Sequence, residues 1–167
     1  MNNFDPTVYT ASYNVDAFKP ENWQIRFLKT HPDAVLPVRK HDDNLTGDTG
    51  YDVTAVEDKV IPARGAAVVE VGLKLAYVPP GLWIRVESRS GLQFKHSISA
   101  FPGIIDNPYR GDCGIRLINN GDTDYEVKKG DRVAQFVVYS LIAPKTNWAA
   151  EISETERGEK GFGSSGR

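Results

Sequence analysis

The stretch Leu82-Trp-Ile-Arg-Val-Glu87 alternates Leu, Ile and Val with Trp, Arg and Glu, which is the period of two of a half-buried β-strand. A second stretch, Cys113-Gly-Ile-Arg-Leu-Ile118, repeats the alternation. Successive side chains of a strand point to opposite faces of a sheet, so each stretch is expected to bury one face only. Together they predict a sheet structure.

Other apolar runs extend this pattern along the chain. Strand-like runs lie at 68–78 and 133–142, and the second run is nearly all apolar. Turn-forming residues separate the runs, at Pro62, 79–81, 102–103, 119–121 and 129–131. Many short strands with hardly any helical periodicity predict an all-β, jelly-roll-like fold. One short helical turn is expected directly after Ser88-Arg-Ser90.

The two ends of the chain differ from this body. Residues 1–22 show no clear period and are expected to be an N-terminal arm or extension, while residues 23–150 form the single domain. Residues 151–167 are charged and then rich in glycine. A tail of this composition cannot hold itself folded, so it is expected to be flexible until a ligand binds it.

Composition narrows the class of protein. The chain has 167 residues with a formal net charge of −2, and it lacks the basic excess of proteins that bind nucleic acid polymers. A single nucleotide remains a possible ligand. The lone Cys113 excludes an internal disulfide and suits a reducing compartment. We find no signal peptide and no membrane-spanning run, so we expect a cytoplasmic protein without membrane contact.

The C-terminal stretch Gly161-Phe-Gly-Ser-Ser-Gly166 formally matches the GxGxxG pattern. A dinucleotide site needs a strand before this pattern and a helix after it, and only Arg167 follows. A P-loop is also excluded, because Ser164 stands where lysine is required. The small residues, two hydroxyls and Arg157 could still wrap phosphates. On this stretch alone, a polar terminus without function is an equally good interpretation.

Two internal turns carry candidate site residues. The stretch Glu87-Ser-Arg-Ser-Gly-Leu92 offers a guanidinium, hydroxyls and a close-approach glycine for an anion, although a solvated arginine in a turn is commoner. Asp106 directly follows an apolar run, where most aspartates are turn formers and a minority are catalytic. The scattered His31, His41 and His96 form no transition-metal cluster. Any metal is therefore expected to be a hard cation carried largely by substrate phosphate.

In chain order, five short stretches resemble the five motifs of the trimeric dUTPase family, and the resemblance covers residues 24–167. They are 49–55 (TGYDVTA), 88–92 (SRSGL), 102–111 (PGIIDNPYRG), 130–135 (GDRVAQ) and 157–166 (RGEKGFGSSG), called the first to fifth motif below. Membership would imply a jelly-roll subunit, a homotrimer with active sites shared among chains, and hydrolysis of dUTP to dUMP and pyrophosphate. It would also imply Mg²⁺, held by substrate phosphates and water and not by protein side chains.

The resemblance also implies residue roles. Asp106 would be the general base that activates water, and Tyr109 would stack on the deoxyribose and exclude a 2′-hydroxyl. Asp52 would be structural. Phe162 would cover the uracil when the tail closes. The other implied substrate-binding residues are Arg89, Ser90, Gly91, Gly103 and Gln135 in the domain and Arg157, Gly163, Ser164 and Ser165 in the tail.

Three positions depart from the family pattern. Ser88 stands where the family commonly has proline, and Ala100 stands where many members have an asparagine that contacts uracil. Base recognition is therefore expected to rely on the backbone of a hairpin at 97–103. Asn107-Pro108 replaces the more usual polar pair between Asp106 and Tyr109, and the proline stiffens that turn.

Two other functions would share some of these sequence features. A dCTP deaminase would share the jelly roll and the turn at 88–92, but it needs a glutamate base, whereas this chain has Asp106, Tyr109 and a glycine-phenylalanine tail. A regulatory binding protein would keep the nucleotide pocket as a switch and contact a protein partner, through residues 1–22 for example. The products formed from dUTP, dCTP, dTTP and UTP would separate the three.

Overall fold

The structure is a computed structural model that describes residues 23–42, 46–155 and 158. Within these residues the chain forms ten strands and one short helix. The elements are β1 (Arg26–Lys29), β2 (Tyr51–Thr54), β3 (Lys59–Ile61), β4 (Ala66–Tyr77), β5 (Leu82–Glu87), α1 (Ser90–His96), β6 (Ile98–Ala100), β7 (Ile104–Ile105), β8 (Asp112–Asn119), β9 (Tyr125–Val127) and β10 (Arg132–Ser140).

The strands form two four-stranded sheets and one two-stranded sheet. The first sheet has the order β1-β4-β8-β6, the second has the order β2-β10-β5-β7, and β3 pairs with β9. All of these pairings are antiparallel. The chain passes from one large sheet to the other between β4 and β5 and again between β6 and β7, as in sandwich folds. The all-β, jelly-roll-like subunit predicted from the sequence is confirmed.

The core lies between the two large sheets. The inward residues of β5 (Leu82, Ile84, Val86) and of β8 (Cys113, Ile115, Leu117) are buried, as their alternation predicts. Phe27 of the first sheet stacks on Phe136 of the second, with ring centroids 6.1 Å apart. Burial of this apolar surface is the main stabilising contribution to the fold.

The two apolar runs correspond to β4 and β10, with local differences. β4 is one long strand with an irregular register between Glu70 and Lys74. Gly72 lies in this irregularity with a φ of +65°, and a Cβ there would lie 2.6 Å from the Cβ of His31. β10 ends at Ser140, before the end of its apolar run, and Leu141 is exposed.

The hairpin expected at 97–103 is not present, and that prediction was wrong. β6 pairs with β8 in the first sheet, whereas β7 pairs with β5 in the second, so the segment crosses between the sheets. Periodicity cannot predict this crossing, because it records which face of a strand is buried and not which strand is its partner. The expected helical turn is confirmed as α1, which buries none of its residues.

Beyond β10 the described chain has no regular structure. Residues 141–155 are exposed throughout, including Leu141, Ile142, Trp148 and Ile152. The predictions for residues 1–22, and those for the tail residues 156–157 and 159–167, lie outside the described residues. No helix in the described part of the chain is long and apolar enough to cross a membrane.

Candidate active site

The turn after β5 carries the predicted anion-binding residues Arg89, Ser90 and Gly91. Ser88 opens this turn, and its hydroxyl accepts from the Ala100 N–H at 3.0 Å and lies 3.2 Å from the Ala100 carbonyl, to which it donates. Apart from its chain neighbours and the backbone of its own helix, no described atom lies within 4 Å of the position that a Cβ on Gly91 would take. The turn is therefore anchored at Ser88 and open to a ligand above Gly91.

Arg89 is held in place by residues of the first and fourth motifs. Its Nε donates to Asp52 Oδ1 at 2.8 Å, and its Nη1 donates to the Arg132 carbonyl at 3.1 Å. The Arg132 side chain donates to the other oxygen of Asp52, also at 2.8 Å. The side chains of Arg89 and Asp52 are only 25% and 20% exposed, so water weakens this pair less than an ordinary surface ion pair. Asp52 thus orients the guanidinium of Arg89.

Gln135 links the same motifs from β10. It pairs with Asp52 of β2 on one side and with Glu87 of β5 on the other. Its Nε2 donates to the Ser88 carbonyl at 2.9 Å. A Cβ on Gly50 would lie 1.9 Å from Gln135 Oε1, so the glycine leaves the space that the amide occupies. The first, second and fourth motifs therefore form one cluster at this end of the second sheet.

The third motif forms a separate turn after β7. Asp106 is exposed, and its backbone carbonyl accepts from the Tyr109 N–H at 3.0 Å. The Tyr109 hydroxyl donates to the Asp112 carbonyl at 2.9 Å. A Cβ on Gly111 would lie 2.4 Å from that hydroxyl and 2.6 Å from the ring carbon bearing it, so glycine allows the ring to lie on the backbone. The ring is thereby oriented while remaining 43% exposed.

A cavity of about 290 Å³ opens beside this turn. Gly103 and Tyr109, both predicted to bind substrate, line it together with Val86, Phe101, Ile104, Ile105, Asp112, Cys113, Gly114 and Arg116. The Val86 N–H donates to the Gly103 carbonyl at 2.9 Å, which ties the cavity wall to β5. Burial raises the pKa of the Cys113 thiol to about 11, so this group is a protonated, unreactive part of the wall at neutral pH.

The two groups of predicted residues lie at opposite ends of β5. Ile105 of β7 pairs with Ile84 of β5 in an antiparallel register, so the next residue, Asp106, lies beside Trp83 at the start of β5. Arg89 lies beyond the other end of β5, six residues from Trp83, which is roughly 20 Å along a strand-like chain. One chain by itself therefore does not bring Asp106 next to Arg89.

Five of the predicted site residues belong to the C-terminal tail. Arg157, Phe162, Gly163, Ser164 and Ser165 lie outside the described residues. Within the ranges 23–42 and 46–155 and at residue 158, no three His, Cys, Asp or Glu side chains lie close enough together to hold a metal ion.

Sequence reasoning missed three contacts of the site. The Ser88 hydroxyl binds Ala100, the Arg132 side chain binds Asp52, and the Asn107 side chain binds three backbone carbonyls. Arg132 was part of a matched motif, and Ser88 and Asn107 were departures from the family pattern. These two departures from the family pattern could have indicated the contacts, since each places a polar side chain where the family commonly has another residue.

Comparison with known proteins gives consistent matches. The dUTPase family model matches residues 41–166. A deoxyuridine 5′-triphosphate nucleotidohydrolase of Oryza sativa subsp. japonica is 42% identical over 142 residues, covering 85% of this chain and 80% of that protein. A protein of the same name from Picosynechococcus sp. is 40% identical over 144 residues, covering 85% and 98%. The structure of the Staphylococcus bacteriophage 80alpha dUTPase with dUpNHpp is similar at a TM-score of 0.77 and 28% identity, covering 86% of this chain and 99% of the phage chain.

Proposed function

Since this chain belongs to the dUTPase family, we propose that it hydrolyses dUTP to dUMP and pyrophosphate. The observation that carries the proposal is the turn of the third motif, which presents Asp106 and Tyr109 beside a cavity of about 290 Å³. This volume lies just below the range of about 300–1,000 Å³ for small-molecule sites. The cavity would take the uracil and the deoxyribose, while the triphosphate would extend out of it.

Asp106 is the proposed general base. Its carboxylate is exposed and makes no hydrogen bond or ion pair with other described residues, so both oxygens are available to a water molecule. The water would attack the α-phosphorus and give its proton to this carboxylate, while the bond from the α-phosphorus to the bridging oxygen breaks and pyrophosphate leaves. The Tyr109 ring, oriented by its bond to the Asp112 carbonyl, would pack on the sugar and would exclude a 2′-hydroxyl.

Arg89 and its neighbours are proposed to bind the phosphates. Asp52 fixes the guanidinium in one orientation, and a preoriented arginine loses less entropy when it binds an anion. Ser90 and Gly91 are exposed beside it, and Gln135 supports the turn from below. The tail residues Arg157, Phe162, Gly163, Ser164 and Ser165 are proposed to complete the site by closing over the nucleotide.

The described residues fit a magnesium ion that is carried mainly by the substrate. Both oxygens of Asp52 already accept from arginines, and the carboxylate of Asp106 is proposed to act as the base, so the metal would be held by phosphate oxygens and water. Mg²⁺ keeps several water ligands and needs few protein carboxylates when phosphates are present. When bound, it would neutralise negative charge on the triphosphate.

We further propose a homotrimer in which each site combines residues of different chains. The roughly 20 Å between Asp106 and Arg89 along β5 supports this arrangement, because a neighbouring chain could bring its own Arg89 cluster to this Asp106. The exposed apolar side chains of Leu141, Ile142 and Trp148 also favour contact with another chain.

The activity is tested by incubating the protein with Mg²⁺ and dUTP, dCTP, dTTP or UTP and identifying the products. We expect dUMP and pyrophosphate from dUTP only, whereas a deaminated product from dCTP would support the deaminase. Asp106→Asn should lower turnover at least about a hundredfold, because a general base contributes roughly 10²–10⁴-fold. Binding of dUpNHpp should persist. Asp122→Asn is the matched control, since Asp122 lies in a different loop and pairs with Arg64. Near-normal turnover in Asp106→Asn would exclude the mechanism.

Shared sites are tested with Asp106→Asn and Arg89→Gln, each first measured alone for its residual activity. The two variants are then mixed, unfolded together and refolded. Suppose that one chain supplies the base and another the arginine, and that the two variants are mixed in equal amounts. Half of the sites then contain an intact Asp106, and half of those sites also contain an intact Arg89. About a quarter of the wild-type activity should then return, given random assembly in a closed ring. A truncation after Glu156 in place of Arg89→Gln applies the same test to the tail. If mixed trimers verified by mass stay inactive, both residues of a site come from the same chain.

A further inference from the structure

The side chain of Asn107 makes contacts that the proposed reaction does not yet use. Its Nδ2 lies 3.2 Å from the Val78 carbonyl, 2.9 Å from the Pro79 carbonyl and 3.1 Å from the Leu82 carbonyl. An amide nitrogen has two hydrogens, so at least one of them is shared between two acceptors. These three carbonyls surround a donor that a carboxylate or an apolar side chain could not replace.

The acceptors belong to the turn between β4 and β5, which is itself stiff. Pro79 and Pro80 have fixed φ angles, and Leu82 N–H donates back to the Pro79 carbonyl at 3.1 Å. On the other side, Pro108 follows Asn107 directly and restricts its backbone as well. Asn107 therefore joins two segments that both have little conformational freedom.

Asn107 also stands between the two residues on which the proposed chemistry depends. Asp106 precedes it, and Tyr109 follows two residues later in the same turn. The Asp106 carboxylate makes no bond of its own to the described residues, so its position depends on the backbone that carries it. Movement of this turn would displace the base and the sugar-facing ring together.

We propose that Asn107 is a positioning residue for hydrolysis, acting by tying the Asp106–Tyr109 turn to the β4–β5 turn through its side-chain amide. This inference rests on the proposed function. A merely structural role would lower thermal stability and leave the reaction unchanged in the folded protein. A positioning role predicts in addition a loss of turnover and of sugar discrimination.

The test compares Asn107→Ala, which removes both donors, with Asn107→Ser, which keeps one hydroxyl donor on a shorter side chain. Neither variant adds a charge beside Asp106. Asp124→Ala is the matched control. The Asp124 side chain also joins two turns, because it accepts from the Ala63 N–H at 2.8 Å, but these turns are not part of the site. Melting temperature, kcat, KM and the preference for dUTP over UTP are measured for each, well below the melting transition.

We expect kcat of Asn107→Ala to fall about tenfold or more, since displacement of a reacting group by about 1 Å can cost roughly a hundredfold. KM should change less, because the phosphates are bound elsewhere, and the preference for dUTP over UTP should narrow. In kcat and in the preference for dUTP over UTP, Asn107→Ser should lie between Asn107→Ala and wild type, and Asp124→Ala should match wild type.

Folded Asn107→Ala with wild-type kcat and wild-type sugar preference would overturn the inference. If Asn107→Ala does not fold, the same two readouts in Asn107→Ser decide. The two proposals fail differently. A wild-type protein that leaves dUTP intact contradicts the proposed function and the inference with it, whereas an active wild type with an equally active Asn107→Ala contradicts the inference alone.

Discussion

Asp52→Asn tests how the site holds its phosphate-binding arginine. In the wild type, one oxygen of Asp52 accepts from Arg89 and the other accepts from Arg132, each at 2.8 Å. The amide of asparagine keeps one oxygen but replaces the second with an NH₂ group, which cannot accept from a guanidinium. The substitution therefore removes one charge-assisted hydrogen bond and weakens the other, with almost no change in side-chain volume.

The size of the effect follows from the burial of the pair. A hydrogen bond to a charged group contributes about 1.5–3 kcal/mol to stability. The side chain of Asp52 is 20% exposed and that of Arg132 is 48% exposed, so the pair is intermediate between a buried and a surface ion pair. We therefore expect Asp52→Asn to lower the free energy of unfolding by about 2 kcal/mol. For a domain of this size, that corresponds to a fall of roughly 4–8 °C in melting temperature. A mobile Arg89 should also lower kcat/KM for dUTP about tenfold, which is ~1.4 kcal/mol.

The assay is thermal unfolding at a fixed protein concentration, together with steady-state dUTP hydrolysis. Concentration must be constant, since association of chains raises the apparent stability. Asp122→Asn is the matched control, because Asp122 also accepts from an arginine, at 2.6 Å from Arg64 Nη2, but the two side chains are 82% and 66% exposed. We expect this control to change stability by less than about 0.5 kcal/mol and to leave hydrolysis unaltered.

Equal falls in melting temperature for Asp52→Asn and Asp122→Asn would refute the reasoning, because the more buried ion pair would then contribute no more stability than the exposed one. Wild-type kcat/KM in a destabilised Asp52→Asn would also refute it in part, by showing that Asp52 supports the fold without orienting Arg89. A fall in both quantities, confined to Asp52→Asn, is the result that the geometry predicts.

Tyr109→Ala should narrow the preference for dUTP over UTP in steady-state assays, and an unchanged ratio would assign sugar selection to another residue. Gly50→Ala should lower kcat/KM because the new Cβ would lie 1.9 Å from Gln135 Oε1, and its further effect should be smaller in a Gln135→Ala background, where only the Cβ of residue 135 remains close, at 3.0 Å. Cys113 should react with iodoacetamide at pH 8 about a hundredfold more slowly in the folded protein than after unfolding. Its pKa is raised from 9.0 to about 11, so the reactive thiolate is scarce until the pH approaches that value. Equal rates, read by mass spectrometry, would contradict the buried placement.

Local patterns in the chain were sufficient for much of the fold. The alternation in 82–87 and 113–118 predicted which side chains face the core, and the buried Leu82, Ile84, Ile115 and Leu117 agree with it. The short helix after Ser88 was also predictable, because its signal lies within a few residues. The hairpin at 97–103 was wrong for the opposite reason: β6 and β7 take their partners from β8 and β5, and no local pattern identifies those partners.

For the candidate site, the sequence by itself determined which chemical groups are present and which are neighbours along the chain. Asp106 and Tyr109 share one turn because only two residues separate them. Only the tertiary structure decided that Asp52, 37 residues away, orients Arg89, that Asn107 binds a turn 25–29 residues earlier, and that Arg89 lies at the far end of β5 from Asp106. The physical reason is that hydrophobic periodicity reports the environment of each side chain, whereas hydrogen bonds between distant segments depend on strand pairing and register, which arise when the whole chain packs.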